Sequence, residues 1–221
     1  MKIKIFCLIT VLMLIISGGV FAQNTQELSI GSSLPGNLSS GQEIWYSVKA
    51  AQDGLLIVQT FGDTDTCLEA FDEGMFLIVD NDDGPNGYNA SIILSVKRGS
   101  TYYFCLTGYD NESGPYSISA SYPVFPQLNA GSFHSGNIIS DDYLFFIFTA
   151  ARSGVLTVET SGGTDTYIYL YDDNLKYLAD DDDGAGYPND RLIYQVTSGR
   201  TYYIELCAYE FGPYTISARL Q

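Results

Sequence analysis

Short runs rich in Val, Ile, Leu, Phe and Tyr fill most of this chain, and within them apolar and polar positions alternate. Clusters of Gly, Asn, Asp and Ser interrupt the runs about every eight to twelve residues, and the periodicity of an amphipathic helix is absent. In residues 55–60, for example, Leu56 and Val58 fall on one side and Gln59 on the other. Such alternation predicts strands with one buried face, so the chain is predicted to be all-β.

The whole pattern occurs twice, at an offset of 100 residues. Residues 30–109 align with residues 130–209 without a gap, and 29 of the 80 positions are identical. One repeat contains about eight predicted strands, which bury a dry core only if they form two sheets packed face to face. We therefore predict two tandem β-sandwich domains, residues 23–122 and 123–221, joined by a short proline-containing junction.

Residues 1–22 have the features of a secretory signal peptide. Lys2 and Lys4 precede an apolar run, and Val20 and Ala22 occupy the −3 and −1 positions of a cleavage site. We expect cleavage after Ala22, a secreted, periplasmic or cell-surface location, and no membrane insertion after processing. A retained membrane anchor is the alternative, although the apolar run is short for a bilayer span.

The chain is strongly acidic, with 26 Asp and Glu residues against 10 Lys and Arg residues and a formal net charge of −16 at pH 7. Removal of Lys2 and Lys4 with the leader makes the remainder more acidic still. Because phosphate groups are bound by basic surfaces, this charge argues against nucleic acid and anionic lipid as partners. It favours solubility outside the cell and the capture of cations.

Export permits disulfides, but the cysteines that follow the leader form no shared framework. Cys67, Cys105 and Cys207 are odd in number, and none has a cysteine at the matching position of the other repeat. The spacing leaves two alternatives open, which are a Cys67–Cys105 disulfide and three free thiols.

Each repeat places an Asp-rich turn after a short predicted hairpin. If residues 66–72 pair with residues 76–80, the paired numbers sum to about 147 and Asp65 faces Asp82. Clustered carboxylates raise one another's pKa unless a cation intervenes, and Ca²⁺ accepts oxygen ligands on loops, whereas a solvated acidic turn is the alternative. The candidate metal ligands are Asp65, Asp80, Asp82 and Asp83 in the first repeat and Asp165, Asp180, Asp182 and Asp183 in the second.

A row of tyrosines alternates with aliphatic residues on one predicted strand of the second repeat. Glu69 stands at the Tyr169 position in the first repeat, which assigns the tyrosine side to the outer face. Exposed aromatic rings with a polar tip suit the docking of a sugar, an extended peptide or another protein, whereas cross-strand pairing or burial against the other domain is the alternative. The candidate ligand-binding residues are Tyr167, Tyr169, Tyr171, Tyr203 and Tyr209.

Few residues of this sequence suit catalysis. His134 is the one histidine, which excludes a two-histidine zinc motif and leaves any Ser-His-Asp triad dependent on a loop residue. The repeated Asp-Thr dipeptide differs from the aspartic-protease motif, because Cys67 and Tyr167 stand where a glycine belongs. A carboxylate pair for glycoside hydrolysis has no short signature and stays open. We expect a protein that is not an enzyme.

The order of the repeated motifs resembles the bacterial pre-peptidase C-terminal domain family. A Gly-x-Leu-x-Val strand is followed by Thr-Asp-Thr, an Asp-rich turn ending in Gly, Gly-x-Thr-Tyr-Tyr and a closing Gly-Pro-Tyr-x-Ile. The series runs from Gly54 to Ile118 and again from Gly154 to Ile216. The collagen-binding domains of clostridial collagenases are similar, and the resemblance implies a jelly-roll-like sandwich with a non-catalytic accessory or binding role. In the collagenase relatives it also implies calcium.

The family usually accompanies a catalytic domain, and neither repeat has the motifs of one. We therefore expect an exported, non-catalytic protein whose tandem modules bind an extracellular or envelope protein or polysaccharide, with calcium as a candidate stabilising ion. Two alternatives stay open. One is a carbohydrate-binding protein or carboxylate-dependent hydrolase, and the other is a structural component of the envelope.

Overall fold

The computed structural model describes residues 25–84, 87–139 and 144–221. These residues form 17 β-strands in four sheets, and this all-β architecture confirms the predicted fold class. The predicted leader, residues 1–22, lies outside the described residues. Within the part of the chain that is described, no helix is long and apolar enough to cross a membrane.

The strands of the first half form a two-layered sandwich. One sheet has the order β2-β9-β4-β7 and the other has the order β1-β3-β8-β5-β6. Most consecutive strands lie in different sheets, which is the jelly-roll arrangement of a β-sandwich. The strands are β1 (Thr25–Glu27), β2 (Ser33–Leu38), β3 (Ile44–Lys49), β4 (Gly54–Phe61), β5 (Thr66–Phe71), β6 (Leu77–Asn81), β7 (Ser91–Val96), β8 (Thr101–Gly108) and β9 (Gly114–Ser121).

The second half repeats this arrangement. Its sheets have the orders β10-β17-β12-β15 and β11-β16-β13-β14, which match the first half strand by strand. The parallel strand β1 has a reduced counterpart, an isolated parallel bridge between Gln127 and Ile147. The strands are β10 (Phe133–Ile138), β11 (Leu144–Thr149), β12 (Gly154–Gly162), β13 (Thr166–Tyr171), β14 (Tyr177–Asp181), β15 (Arg191–Val196), β16 (Thr201–Ala208) and β17 (Gly212–Leu220).

Each half has a hydrophobic core drawn from the inner faces of its own two sheets. Phe104 on β8 is fully buried in the first core, and Ile204 on β16 is fully buried at the matching place in the second. Burial of such side chains is the main favourable term in folding. We refer to residues 25–122 as the first domain and to residues 123–221 as the second domain.

The motifs shared by the two domains have structural roles. The Thr64 hydroxyl donates a hydrogen bond of 2.7 Å to the carbonyl of Pro115, and the matching residues of the second domain form the same bond at 2.7 Å. This bond joins the Thr-Asp-Thr segment to the closing Gly-Pro-Tyr segment. A Cβ atom on Gly36 would lie 2.4 Å from the Tyr116 ring, so close packing explains why a glycine recurs at this position.

Candidate ligand-binding face and acidic loop

The hairpin that carries the candidate residues has a different register from the predicted one. Glu69 pairs with Asp80, so the paired residue numbers sum to 149 and not to about 147. A bulge between Ala70 and Phe71 adds a residue to β6, which the alternation pattern does not reveal. Between Leu68–Ala70 and Val79–Asn81 the shift is two residues, so these side chains keep their predicted faces, whereas Leu77 changes face across the bulge.

Three carboxylates of the second domain nevertheless meet at the end of this hairpin. Oxygen atoms of Asp165, Asp182 and Asp183 all lie within 4.8 Å of one another. Burial and the nearby carboxylates raise the pKa of Asp165. The loop after β14 folds back on itself and brings these carboxylates together. Asp181 holds the loop in this shape by accepting hydrogen bonds from the backbone N–H groups of Gly184 and Arg191. We call Asp165, Asp182 and Asp183 the acidic cluster.

The acidic cluster is anchored from inside the domain by Asp190, a residue that the sequence analysis did not single out. This side chain is completely buried, and burial raises the pKa of its carboxyl group. It accepts hydrogen bonds from the hydroxyls of Thr160 and Thr166 at 3.0 and 2.6 Å, and from the backbone N–H of Asp183 at 3.2 Å. Asp190 therefore joins the core to the loop that carries two of the three clustered acids.

The matching loop of the first domain has no counterpart of the buried Asp190. Ala90 stands at the Asp190 position, and the Thr60 and Thr66 hydroxyls bond directly to each other at 2.6 Å. Burial and nearby carboxylates raise the pKa of Asp65 to about 6. The neighbours that act on Asp65 are Glu112, Asp83 and Asp82.

Tyr167, Tyr169 and Tyr171 lie on the outer side of β13, as the alternation predicts, because the residues between them are fully buried. The centroids of the Tyr167 and Tyr169 rings are 4.6 Å apart, and those of Tyr169 and Tyr171 are 6.3 Å apart. Tyr177 and Tyr209 extend the row at its two ends, with 52% and 67% of their surface exposed. We call these five residues the tyrosine face.

Carboxylates hold the phenol groups of the tyrosine face. Asp180 accepts hydrogen bonds from the hydroxyls of both Tyr167 and Tyr177, which lowers the pKa of Asp180. The Tyr171 hydroxyl donates to Glu205 at 2.6 Å. Asp180 was predicted as a metal ligand, but these bonds place it on the tyrosine face, away from the acidic cluster.

The sequence pattern did not assign Tyr177 to the candidate ligand-binding residues because of a bulge in the pairing of β13 with β14. Strict alternation along β14 would place residues 177 and 180 on opposite faces of the sheet. The bulge after Leu170 shifts the register, so that Tyr177 pairs with Tyr171 while Asp180 pairs with Tyr169. Both therefore lie on the tyrosine face.

Tyr203 points to the outer side of β16, as predicted, but it is not exposed. Only 9% of its surface is accessible, because Phe125 from the domain junction covers this part of the sheet. The ring centroid of Phe125 lies 6.4 Å from that of Tyr203 and 5.3 Å from that of Phe145. The prediction that Tyr203 is available to a ligand is therefore wrong.

The matching face of the first domain has no tyrosine row. Cys67, Glu69 and Phe71 replace the three tyrosines of β13, and the Phe71 ring packs against Trp45 at 5.4 Å between centroids. Among the described residues, Cys67, Cys105 and Cys207 form no disulfide. The Cys67–Cys105 disulfide, one of the two alternatives that the spacing left open, is therefore not formed in the structure.

The lone histidine has a structural role. In the first domain, the buried hydroxyls of Tyr46 and Tyr116 bond to each other at 2.6 Å. The second domain has Phe146 at the Tyr46 position, and the Tyr214 hydroxyl bonds instead to Nδ1 of His134 at 3.2 Å. Buried polar groups need a hydrogen-bond partner. His134 supplies this partner to the Tyr214 hydroxyl, because Phe146 has no hydroxyl of its own.

We expect His134→Leu to lower the free energy of unfolding of the second domain by about 1 to 2 kcal/mol, because the Tyr214 hydroxyl loses its partner. The double variant H134L/F146Y recreates the pair found in the first domain and is expected to recover most of the loss. Chemical denaturation of the parent protein, the single variant and the double variant measures the three free energies of unfolding. Equal stability of the single and double variants would show that the hydroxyl contact is unimportant.

A groove on the opposite sheet of the second domain is dominated by ion pairs. Glu159 contacts Arg191 at 2.5 Å and Arg219 at 3.3 Å. A glycosidase needs a second carboxylate across the scissile bond from the first, and the groove-lining residues include no other acid. This groove therefore does not support the hydrolase alternative.

The second domain is a jelly-roll β-sandwich with an aromatic outer face and an acidic loop. Residues 142–207 match the family model of the bacterial pre-peptidase C-terminal domain. This match over part of the second domain agrees with the family resemblance that the sequence shows there. The first domain has the same strand order, and its membership stays a prediction.

Two solved structures are similar to parts of the chain. The pre-peptidase C-terminal domain of a collagenase from Bacillus anthracis covers 43% of this chain and 93% of its own length, at 18% identity and a TM-score of 0.38. PliG of Aeromonas hydrophila, a periplasmic inhibitor of g-type lysozyme, covers 44% of this chain and 97% of its own, at 16% identity and a TM-score of 0.34. No curated protein matches the chain.

Proposed function

We propose that this protein is an exported, non-catalytic binding protein that captures an extracellular or envelope protein or polymer on the tyrosine face of its second domain. The observation that carries this proposal is the tyrosine face itself, a row of five aromatic side chains on the outside of a sheet. Exposed aromatic side chains are frequent in binding surfaces, because they contribute large contact areas with few rotatable bonds. The family match of residues 142–207 and the predicted leader support the proposal.

The tyrosine face is also preorganised. Asp180 fixes two of its phenol groups and Glu205 fixes a third, while neighbouring rings contact one another along the row. A surface that is already ordered loses little conformational entropy when a ligand binds. The first domain lacks this row, so in our proposal it serves as a spacer or a second, different module.

Calcium at the acidic cluster is part of the proposal. The three side chains offer only carboxylate oxygens, which is the donor set that Ca²⁺ prefers, and loops suit its variable coordination geometry. The Tyr209 hydroxyl lies 3.4 Å from an Asp182 oxygen, so the cluster adjoins one end of the tyrosine face. An ion held there would offset the repulsion between the acids and stiffen that end.

Removal of calcium is expected to lower the melting temperature of the second domain, because an ion that binds the folded state stabilises it by mass action. Thermal unfolding with excess Ca²⁺ and with a chelator measures the shift. Asp165→Asn is expected to abolish the shift, whereas Glu27→Gln, which removes an exposed acid elsewhere, is expected to preserve it. The same melting temperature for the parent protein in both buffers would contradict the calcium site.

The proposed function is tested by immobilising glycans and extracellular matrix proteins in an array and probing them with the protein that lacks residues 1–22. We expect Tyr169→Ala to weaken binding at least about tenfold, since an aromatic residue at the centre of an interface contributes 2 kcal/mol or more. Tyr88→Ala, which removes a tyrosine that is 71% exposed in the first domain, is the matched control. Undiminished binding by Tyr169→Ala would contradict the tyrosine face as the site.

A further inference from the structure

The tyrosine face is anionic as well as aromatic. Asp180 is exposed at its centre and accepts hydrogen bonds from the hydroxyls of Tyr167 and Tyr177. The acidic cluster adds three carboxylates beyond Tyr209. No Lys or Arg forms an ion pair with Asp180 or the acidic cluster among the ion pairs of the described residues.

Four of the five phenol hydroxyls are already engaged within the protein. Tyr167 and Tyr177 donate to Asp180, Tyr171 donates to Glu205, and Tyr209 lies within 3.4 Å of Asp182. Each of these hydroxyls has one hydrogen, so it is not available to donate to the hydroxyls of a sugar. What the face presents to a ligand is therefore mainly the aromatic rings and the free lone pairs of carboxylates.

Rings and carboxylates together recognise cations. A guanidinium or ammonium group is attracted to the face of a tyrosine ring, and it also forms charge-assisted hydrogen bonds with carboxylate oxygens. The net charge of −16 adds a long-range attraction for basic molecules and repels acidic ones.

The spacing of the rings matches that of an extended peptide. Alternate side chains of a β-strand lie about 6.6 Å apart on one face. The ring centroids of Tyr169 and Tyr171 are 6.3 Å apart, those of Tyr167 and Tyr209 are 6.4 Å apart, and those of Tyr171 and Tyr177 are 6.5 Å apart. Side chains two residues apart on an extended ligand can therefore contact successive rings at these three places, while Tyr167 and Tyr169, at 4.6 Å, are close enough to contact one side chain together.

We propose that the ligand of the tyrosine face is an extended, basic protein segment in which Arg or Lys occupies alternate positions. This inference rests on the proposed function, because it takes the tyrosine face as the binding site and names the chemistry of its occupant. A neutral polysaccharide is the competing occupant, and the experiment separates the two.

The probes are three soluble ligands added to the protein that lacks residues 1–22, in buffer without calcium so that no ion offsets the charge of the acidic cluster. One is a ten-residue peptide of alternating Arg and Ser, the second is the same peptide with Gln in place of Arg, and the third is a neutral cello-oligosaccharide. Isothermal titration is expected to give a Kd for the Arg peptide at least about tenfold below that of the Gln peptide. The Kd is expected to rise steeply with salt, since the attraction is electrostatic.

Three variants and one control test the site with the Arg peptide. Tyr169→Ala is expected to weaken binding about tenfold, and Asp180→Asn, which removes one charge, about fivefold. Asp182→Asn is a second charge variant in case Asp180→Asn disturbs the tyrosine rings, and its Kd is expected to rise in the same direction. Tyr88→Ala in the first domain is expected to leave the Kd unchanged.

The remaining outcomes overturn the inference in distinguishable ways. If the Gln peptide or the oligosaccharide binds at least as well as the Arg peptide, and Tyr169→Ala weakens that binding, the occupant is not basic and the proposed function stands. If the Arg peptide binds with no response to either charge variant, the inference fails. If Tyr169→Ala changes the binding of no probe, both the inference and the proposed function fail.

Discussion

Replacing Phe104 with alanine is expected to destabilise the first domain by about 3 to 5 kcal/mol, because it leaves a cavity at a fully buried position. Phe76→Ala is the matched control. The Phe76 side chain is 70% exposed, so its removal is expected to change stability by less than about 0.5 kcal/mol. Since the two cores are drawn from separate halves of the chain, the second domain is expected to unfold as before.

Differential scanning calorimetry measures this result. Two transitions are expected for the Phe104→Ala variant, of which one moves to lower temperature and the other does not. A single transition that moves as a whole would mean that the two halves unfold as one cooperative unit.

Asp190→Ala is expected to destabilise the second domain by about 2 kcal/mol at pH 4. The substitution leaves the backbone N–H of Asp183 without its partner and removes the acceptor of two buried hydroxyls. The loss is limited because the Thr160 and Thr166 hydroxyls lie 2.9 Å apart and are free to bond to each other once Asp190 is removed, as their counterparts do beside Ala90 in the first domain. Glu27→Ala, which removes an exposed acid outside the acidic cluster, is the control.

The effect of Asp190→Ala is expected to depend on pH in a defined direction. Burial raises the pKa of Asp190 in the folded state above its value of about 4 in the unfolded chain. Its contribution to stability is therefore complete below about pH 4 and declines as the pH rises through the raised folded-state pKa. Denaturation at pH 4 and pH 7.5 is expected to show a larger difference between parent and variant at pH 4. The same difference at both values would contradict this account.

Most of the fold could be predicted from the sequence because the repeat aligns two examples of each strand. Alternation at positions such as Leu56 and Leu156 identifies the inner faces, and the tyrosines of β13 fall on the outer face for the same reason. Two sheets per repeat follow from the number of strands that must share a dry core. The recurrent Gly36 and Gly136 also have a physical cause in both domains, which is the close approach of a tyrosine ring.

The candidate site could be predicted only in part, because local details decide which side chains meet. The bulge after Leu170 placed Tyr177 on the tyrosine face and Asp180 away from the acidic cluster, and alternation gives no sign of a bulge. Tyr203 has the predicted orientation, but Phe125, which is distant in sequence, covers it. Asp190 has no acidic counterpart in the first repeat, so comparison of the repeats gave no reason to single it out.

Ligand binding at the tyrosine face is tested most directly by NMR mapping of the binding site. Backbone amide shifts are recorded before and after addition of the strongest ligand from the array or the peptide titration. The account predicts that the perturbed residues lie on β13, β14 and the end of β16, including Tyr169 and Asp180. Perturbations confined to the first domain, or to the groove around Glu159 and Arg191 on the opposite sheet, would contradict it.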